Sequence, residues 1–200
     1  PTLIPTISEY MTLAPTISQA PTSTPAPTYS SSNVATFSAL STLCQSDNAD
    51  ITVTGDITFT DVITISGLAV SITSTTGASL TSDQESHYTS GGMLHITKSN
   101  VTLSGLQFVS GSSDQHGGCI YVTDSDLIVK NSSFTKCTAT GSSAKPSGGG
   151  AYIAQSTATV ANSEFSENYA TINGGAVYIA DGSTVTFLES SFSKNEAGSW

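Results

Sequence analysis

From residue 49 onward, apolar and hydroxyl-bearing residues alternate in short runs. Ile51 and Val53, Ile57 and Phe59, Ile63 and Ile65, and Val70 and Ile72 each bracket a single Thr or Ser. A period of two places alternate side chains on opposite faces of a strand, so these runs predict short strands with one apolar face. Before them, Phe37, Leu40 and Leu43 fall at helical spacing behind Thr36, a good N-cap residue, and predict a short helix ending near Gln45. A helix followed by short strands suits the first rung of a stack of coils. Without a cover, that end would expose apolar surface and unpaired strand edges.

The same pattern then becomes a repeat. Residues 91–96 read Gly-Gly-Met-Leu-His-Ile, 117–122 Gly-Gly-Cys-Ile-Tyr-Val, 148–153 Gly-Gly-Gly-Ala-Tyr-Ile and 174–179 Gly-Gly-Ala-Val-Tyr-Ile. The glycine pairs are 26, 31 and 26 residues apart, and Phe108, Phe134, Phe165 and Phe192 follow them by 17, 17, 17 and 18 residues. A polar insertion at 141–147 accounts for the longer interval, and insertions in solenoids fall in loops. Each repeat holds three short alternating stretches. Three strands per repeat of about 26 residues describe one coil of a three-sided parallel β-helix, right-handed by the usual chirality of parallel crossovers.

Stacking gives each column a use. The glycine pairs suit tight corners, and the phenylalanines can stack inside as a ladder. Asn168 and Asn195 follow their Phe by three residues and can hydrogen-bond from coil to coil, completing the structural ladder. His95, Tyr121, Tyr152 and Tyr178 stand between inward aliphatic residues and so point outward, one per coil. Such a stripe either stacks on itself in support of the sheet, the preferred reading, or offers a binding surface.

The motif at 174–179 with Phe192-Ser-Lys-Asn195, and Phe165-Ser-Glu-Asn168, resembles the Gly-Gly-Ala-Ile and Phe-x-x-Asn repeats of the polymorphic outer-membrane protein family. That family lies within the pectin-lyase-like right-handed parallel β-helix superfamily. The resemblance covers about residues 50–200 and implies a β-helix at the cell surface with an adhesive role. Gly111 and Cys137 occupy the Asn place in the first two units.

Composition narrows the partners. The chain has 200 residues, no Arg, five Lys and a net charge of −10, which argues against nucleic acid or anionic membrane partners, because those need clustered cations. No apolar run is long enough to span a bilayer as a helix. Residues 1–32 hold six of the seven prolines, five of them followed by Thr. We read 1–32 as a disordered Pro/Thr/Ser-rich stalk, O-glycosylated or a bare linker. Residues 33–200 form the β-helix, with 33–60 the N-terminal cap and 61–200 the coils. The absence of an initiator Met and the stop just after a repeat motif read as a fragment of a longer chain. Cys44, Cys119 and Cys137 are too few for a disulfide framework or a zinc site. Buried free thiols are the preferred reading, with a Cys119–Cys137 bridge as the alternative if the repeat brings them into range.

Catalytic chemistry has little to stand on. Asp114 and His116 lie near Asp124 and Asp126, but Asp124 and Asp181 share a column two coils apart, about 9.6 Å by strand spacing. That separation exceeds what a carboxylate pair with split pKa values requires. No catalytic, metal or cofactor residue is assigned. Asn100 and Asn131 open sequons that the strand reading puts at turns. The preferred function is a non-catalytic extracellular or cell-surface module, structural or adhesive, with cell-surface glycan or protein as partner. The runner-up is a fragment of a polysaccharide-active enzyme, pectate lyase or polygalacturonase-like, whose catalytic coils lie elsewhere. An ice- or mineral-facing Thr array ranks last, because Thr97 and Thr123 give way to Ala154 and Ala180.

Overall fold

The computed structural model describes residues 31–83, 91–141, 145–180 and 182–198. Most of the Pro/Thr stalk, and Asp181, lie outside them. The chain winds as a right-handed parallel β-helix, each strand pairing in parallel with its equivalents one coil before and after. The first face has seven strands, running from Ser32–Val34 and Ala49–Val53 through Asn100–Ser104 and Asp126–Lys130 to Thr184–Leu188. The second has six, among them Gln107–Val109, Ser133–Thr135 and Glu164–Ser166. Ser32, placed in the stalk by composition, opens the first strand, and Ala49–Val53 and Ile57–Phe59 already pair as coil strands.

The coil has four sides rather than the three expected. Two-residue strands Ser112–Ser113, Thr138–Ala139, Tyr169–Ala170 and Glu196–Ala197 make a narrow third face before the chain reaches the fourth, which includes Leu94–Thr97, Ile120–Thr123 and Ala151–Ala154. The extra bend comes from Ser110, Lys136, Glu167 and Lys194, all left-handed, with φ between 53° and 57°. Two-residue strands give no alternation to read in the sequence.

Left-handed residues also turn the other corners, at Lys98, Asp124 and Gln155, and at Asn131, Asn162 and Glu189. Each such conformation costs on the order of 1 kcal/mol for a residue with a Cβ. Side-chain ladders oppose that cost. After the corner between the fourth and first faces, Ser125 Oγ accepts from Ser99 N at 3.1 Å and donates to Thr123 O at 2.6 Å. Ser156 repeats this toward Ser125 N and Ala154 O, and Ser183 toward Ser156 N. At the next corner Leu106 N, Ser132 N and Ser163 N donate to Ser132, Ser163 and Ser190 Oγ. At the third corner the expected asparagine ladder forms. Asn168 Nδ2 donates to Asn195 Oδ1 at 2.9 Å and to Phe134 O at 2.9 Å, while Asn168 Oδ1 accepts from Cys137 N at 2.9 Å.

The phenylalanines line up as a ladder along the axis. Phe108 stacks on Phe134 at 4.7 Å, Phe134 on Phe165 at 4.6 Å and Phe165 on Phe192 at 5.2 Å, all within 10° of parallel. Ile57 and Leu80 extend the column toward the N-terminus. There the helix Phe37–Leu43 packs Phe37 edge-on against Phe59 and buries Leu40 completely. Thr36 caps it as expected, accepting from Ala39 N, and Gln45 Nε2 ties its end to Thr64 O at 2.8 Å.

The cysteines depart from the free-thiol reading. Cys119 and Cys137 form a disulfide with Cα atoms 5.5 Å apart. Cys137 takes the asparagine place at the third corner and Cys119 follows the glycine pair, and coiling brings these two corners together. Gly111, the other exception in that column, is required there because a Cβ on it would strike Cys119 and the backbone of Gly118. Cys44 is a buried free thiol as expected, and burial pushes its pKa up to about 12.

Candidate functional site: an aromatic stripe on the fourth face

The fourth face carries the predicted row in register: Thr64 beside His95, then Tyr121, Tyr152 and Tyr178. The glycine pairs set this row's edge. Gly148 sits at φ 75°, and a Cβ on Gly149 would collide with the carbonyls of Gly175 and Tyr169. The corner can therefore turn tightly and deliver Tyr152 immediately onto the strand.

The rings spend their faces on each other. Tyr121 stacks on Tyr152 at 5.1 Å and 17°, Tyr152 lies 5.4 Å from Tyr178, and His95 meets Tyr121 edge-on at 4.9 Å. His116, which sequence reasoning grouped with the aspartates, belongs to this stripe. Its ring lies over Tyr152 at 4.4 Å and near Tyr121 at 6.2 Å, and its Nδ1 is buried without a hydrogen-bond partner. It comes from the loop between the third and fourth faces, so no alternation placed it there. All three tyrosines are half-buried.

A family model described as the right-handed beta helix region matches residues 43–200. The chain belongs to the right-handed β-helix family. No curated protein and no solved structure matches the chain significantly. A β-helix domain of this kind fits a structural or polysaccharide-related module.

In this β-helix two of the acidic candidates lie together at another corner. Asp124 and Asp126 line a shallow groove with Lys98, Asn100 and Gln155 at the corner between the fourth and first faces. Among the described residues, no three His, Cys, Asp or Glu side chains gather closely enough to hold a metal ion. Asp181 lies outside the described residues. Asn131 is an exposed corner residue, as the sequon reading expected, whereas Asn100 is exposed but opens a strand rather than a turn.

Electrostatics give the stripe a pH signature. Burial lowers the pKa of His95 and of His116 below the ordinary 6.5, and burial followed by the Asp124 charge raises that of Tyr121. A histidine with a lowered folded pKa binds fewer protons folded than unfolded just below pH 6.5, so its neutral form stabilises the fold above that value. The contribution is lost as pH falls through the folded pKa. The melting temperature should therefore drop from pH 7.5 to pH 5, and a double His95→Gln, His116→Gln variant should show a visibly shallower drop. An unchanged slope in the variant would separate these histidines from the acid response.

Proposed function

We propose that this β-helix is a non-catalytic module of an extracellular or cell-surface protein, structural or adhesive, whose partner contact is the stripe His95–Tyr121–Tyr152–Tyr178 with His116. The observation that carries this is the in-register aromatic row, one ring per coil. Tyrosine is over-represented where protein surfaces meet, since it combines a rigid apolar ring with a polar tip. Mutual stacking occupies the ring faces, which favours contact through ring edges and the Tyr121 and Tyr178 hydroxyls over stacking on a sugar ring. The Cys119–Cys137 bridge supports an oxidising compartment, where such bonds persist. The finer likeness to the polymorphic outer-membrane repeat rests on Phe165 with Asn168 and Phe192 with Asn195, and the Asn168–Asn195 hydrogen bond gives that motif its physical use.

The purified chain should adhere to at least one member of a panel of cell-surface glycans and matrix proteins. Tyr121→Phe with Tyr178→Phe, which keeps the rings and removes the hydroxyls, should weaken that signal several-fold, about the effect of losing one or two hydrogen bonds. Adhesion indifferent to the double variant, or none at all, would reject the stripe. New reducing ends or unsaturated products from acidic polysaccharides would instead make the module an enzyme.

A further inference from the structure

Two of the eight asparagines have a hydroxyl residue two places on, in Asn100-Val101-Thr102 and Asn131-Ser132-Ser133. In a chain this rich in Ser and Thr the triplet alone decides little, and its place in the coil decides more. In both triplets the middle residue faces the core and the outer two face solvent. Val101 is 2% exposed, while Asn100 is exposed and Thr102 half-buried on the outer side of the first face. Ser132 is 5% exposed, its hydroxyl engaged between Leu106 N and Lys130 O. Asn131 before it is an exposed left-handed corner with φ 48°, and Ser133 after it stands on the outer side of the second face. Among the described residues, neither the Asn100 nor the Asn131 side chain has a hydrogen-bond partner.

Other asparagines give the contrast. Asn168 and Asn195 hold the third corner through their side-chain amides, and Ala170 and Ala197 stand where a hydroxyl would be needed. Asn162 is the counterpart of Asn131 one coil on. Lys130 pairs with Ala161 and Ser133 with Glu164, so a carboxylate takes the hydroxyl's place there. Spacing lets both triplets be used at once. Asn100 pairs with Asp126 at the start of the first face, and Asn131 leaves its far end. The two asparagines are therefore roughly 17 Å apart, with the exposed Ile128 between them.

We propose that Asn100 and Asn131 carry N-linked glycans, one at each end of the first face. This rests on the secreted half of the functional reading, which the Cys119–Cys137 bridge supports, and not on the aromatic stripe. The donor is a lipid-linked oligosaccharide diphosphate. The asparagine Nδ2 bonds to the anomeric carbon of the first sugar, and the bond from that carbon to the diphosphate oxygen breaks. The polyprenyl diphosphate leaves, and the amide proton passes to a base of the transferase. Transfer takes place on the extended chain, and because both side chains point outward the coils then close without enclosing either sugar.

The whole chain, secreted from cultured mammalian cells behind a cleavable leader, tests this. Enzymatic release of the glycans in heavy-oxygen water converts each glycosylated Asn to labelled Asp, so peptide mass spectrometry reads both positions without any substitution. Label at Asn100 and at Asn131 is the expected result. Thr102→Ala and Ser133→Ala should each remove the mass of one glycan from the intact protein, and Glu164→Thr should add one at Asn162. Thermal melts establish that the three variants are folded. A bare Asn100 or Asn131 in the secreted protein would overturn the assignment at that position. Failure of Glu164→Thr to gain a glycan would sink the role given to the outward corner. Adhesion reads the stripe separately: bare protein that still adheres through its tyrosines rejects the glycans alone, and glycosylated protein that does not adhere rejects the stripe alone.

Discussion

Phe165→Ala is expected to destabilise the β-helix by about 3–5 kcal/mol, the usual cost of emptying a buried aromatic site. Phe165 is 1% exposed, with Phe134 and Phe192 stacked on its two faces and Phe187 at its edge. Its neighbours belong to adjacent coils whose spacing is fixed by backbone hydrogen bonds, so they cannot close the gap by moving together. Tyr152→Ala makes the comparison sharp, because Tyr152 is also stacked above and below but stands outside the coil. It should cost about 1 kcal/mol, the scale of a cross-strand pair. Guanidinium melts of the two variants measure this difference. Equal shifts in midpoint would mean that the inside and outside of the coil are wrongly assigned.

Asn168→Ala is the second large effect, expected at about 3 kcal/mol. Asn168 is 1% exposed and its side chain serves the backbone of one neighbouring coil while bonding to the side chain of the other. Truncation leaves Cys137 N–H and Phe134 C=O buried without these partners, and each orphaned group carries a desolvation cost of about 1–3 kcal/mol. Asn100→Ala removes an exposed amide and should stay within about 0.5 kcal/mol. If both asparagines respond alike in the same melts, the ladder is not what holds the third corner.

How much of this was legible depends on how each residue signals itself. The phenylalanines were plain, since large apolar side chains at a fixed interval have no simpler explanation. Asn168 and Asn195 were legible because each follows its phenylalanine by three residues. The serine ladders carry the same periodicity, with Ser99, Ser125, Ser156 and Ser183 following their glycine pairs by 8, 8, 8 and 9 residues. They were hidden by abundance: in a chain so rich in serine, a regular serine looks like any other. His116 was misplaced for a different reason. It sits in a loop, where period-two alternation does not apply, and its sequence neighbour Asp114 suggested chemistry that its spatial neighbours Tyr121 and Tyr152 do not.

The repeat on its own determined that this chain stacks coil on coil, with phenylalanine and asparagine columns inside and tyrosines outside. Each of those assignments follows from a spacing along one strand or between equivalent strands. Tertiary structure alone decided the fourth face, the Cys119–Cys137 bridge and the place of His116. These depend on the angle at which the chain leaves each corner, set by left-handed residues such as Lys136 and Asn131. Several residue types adopt that backbone state when a ladder holds them, so no single letter announces it. Where corners meet across the coil is a property of the closed turn and not of any one segment.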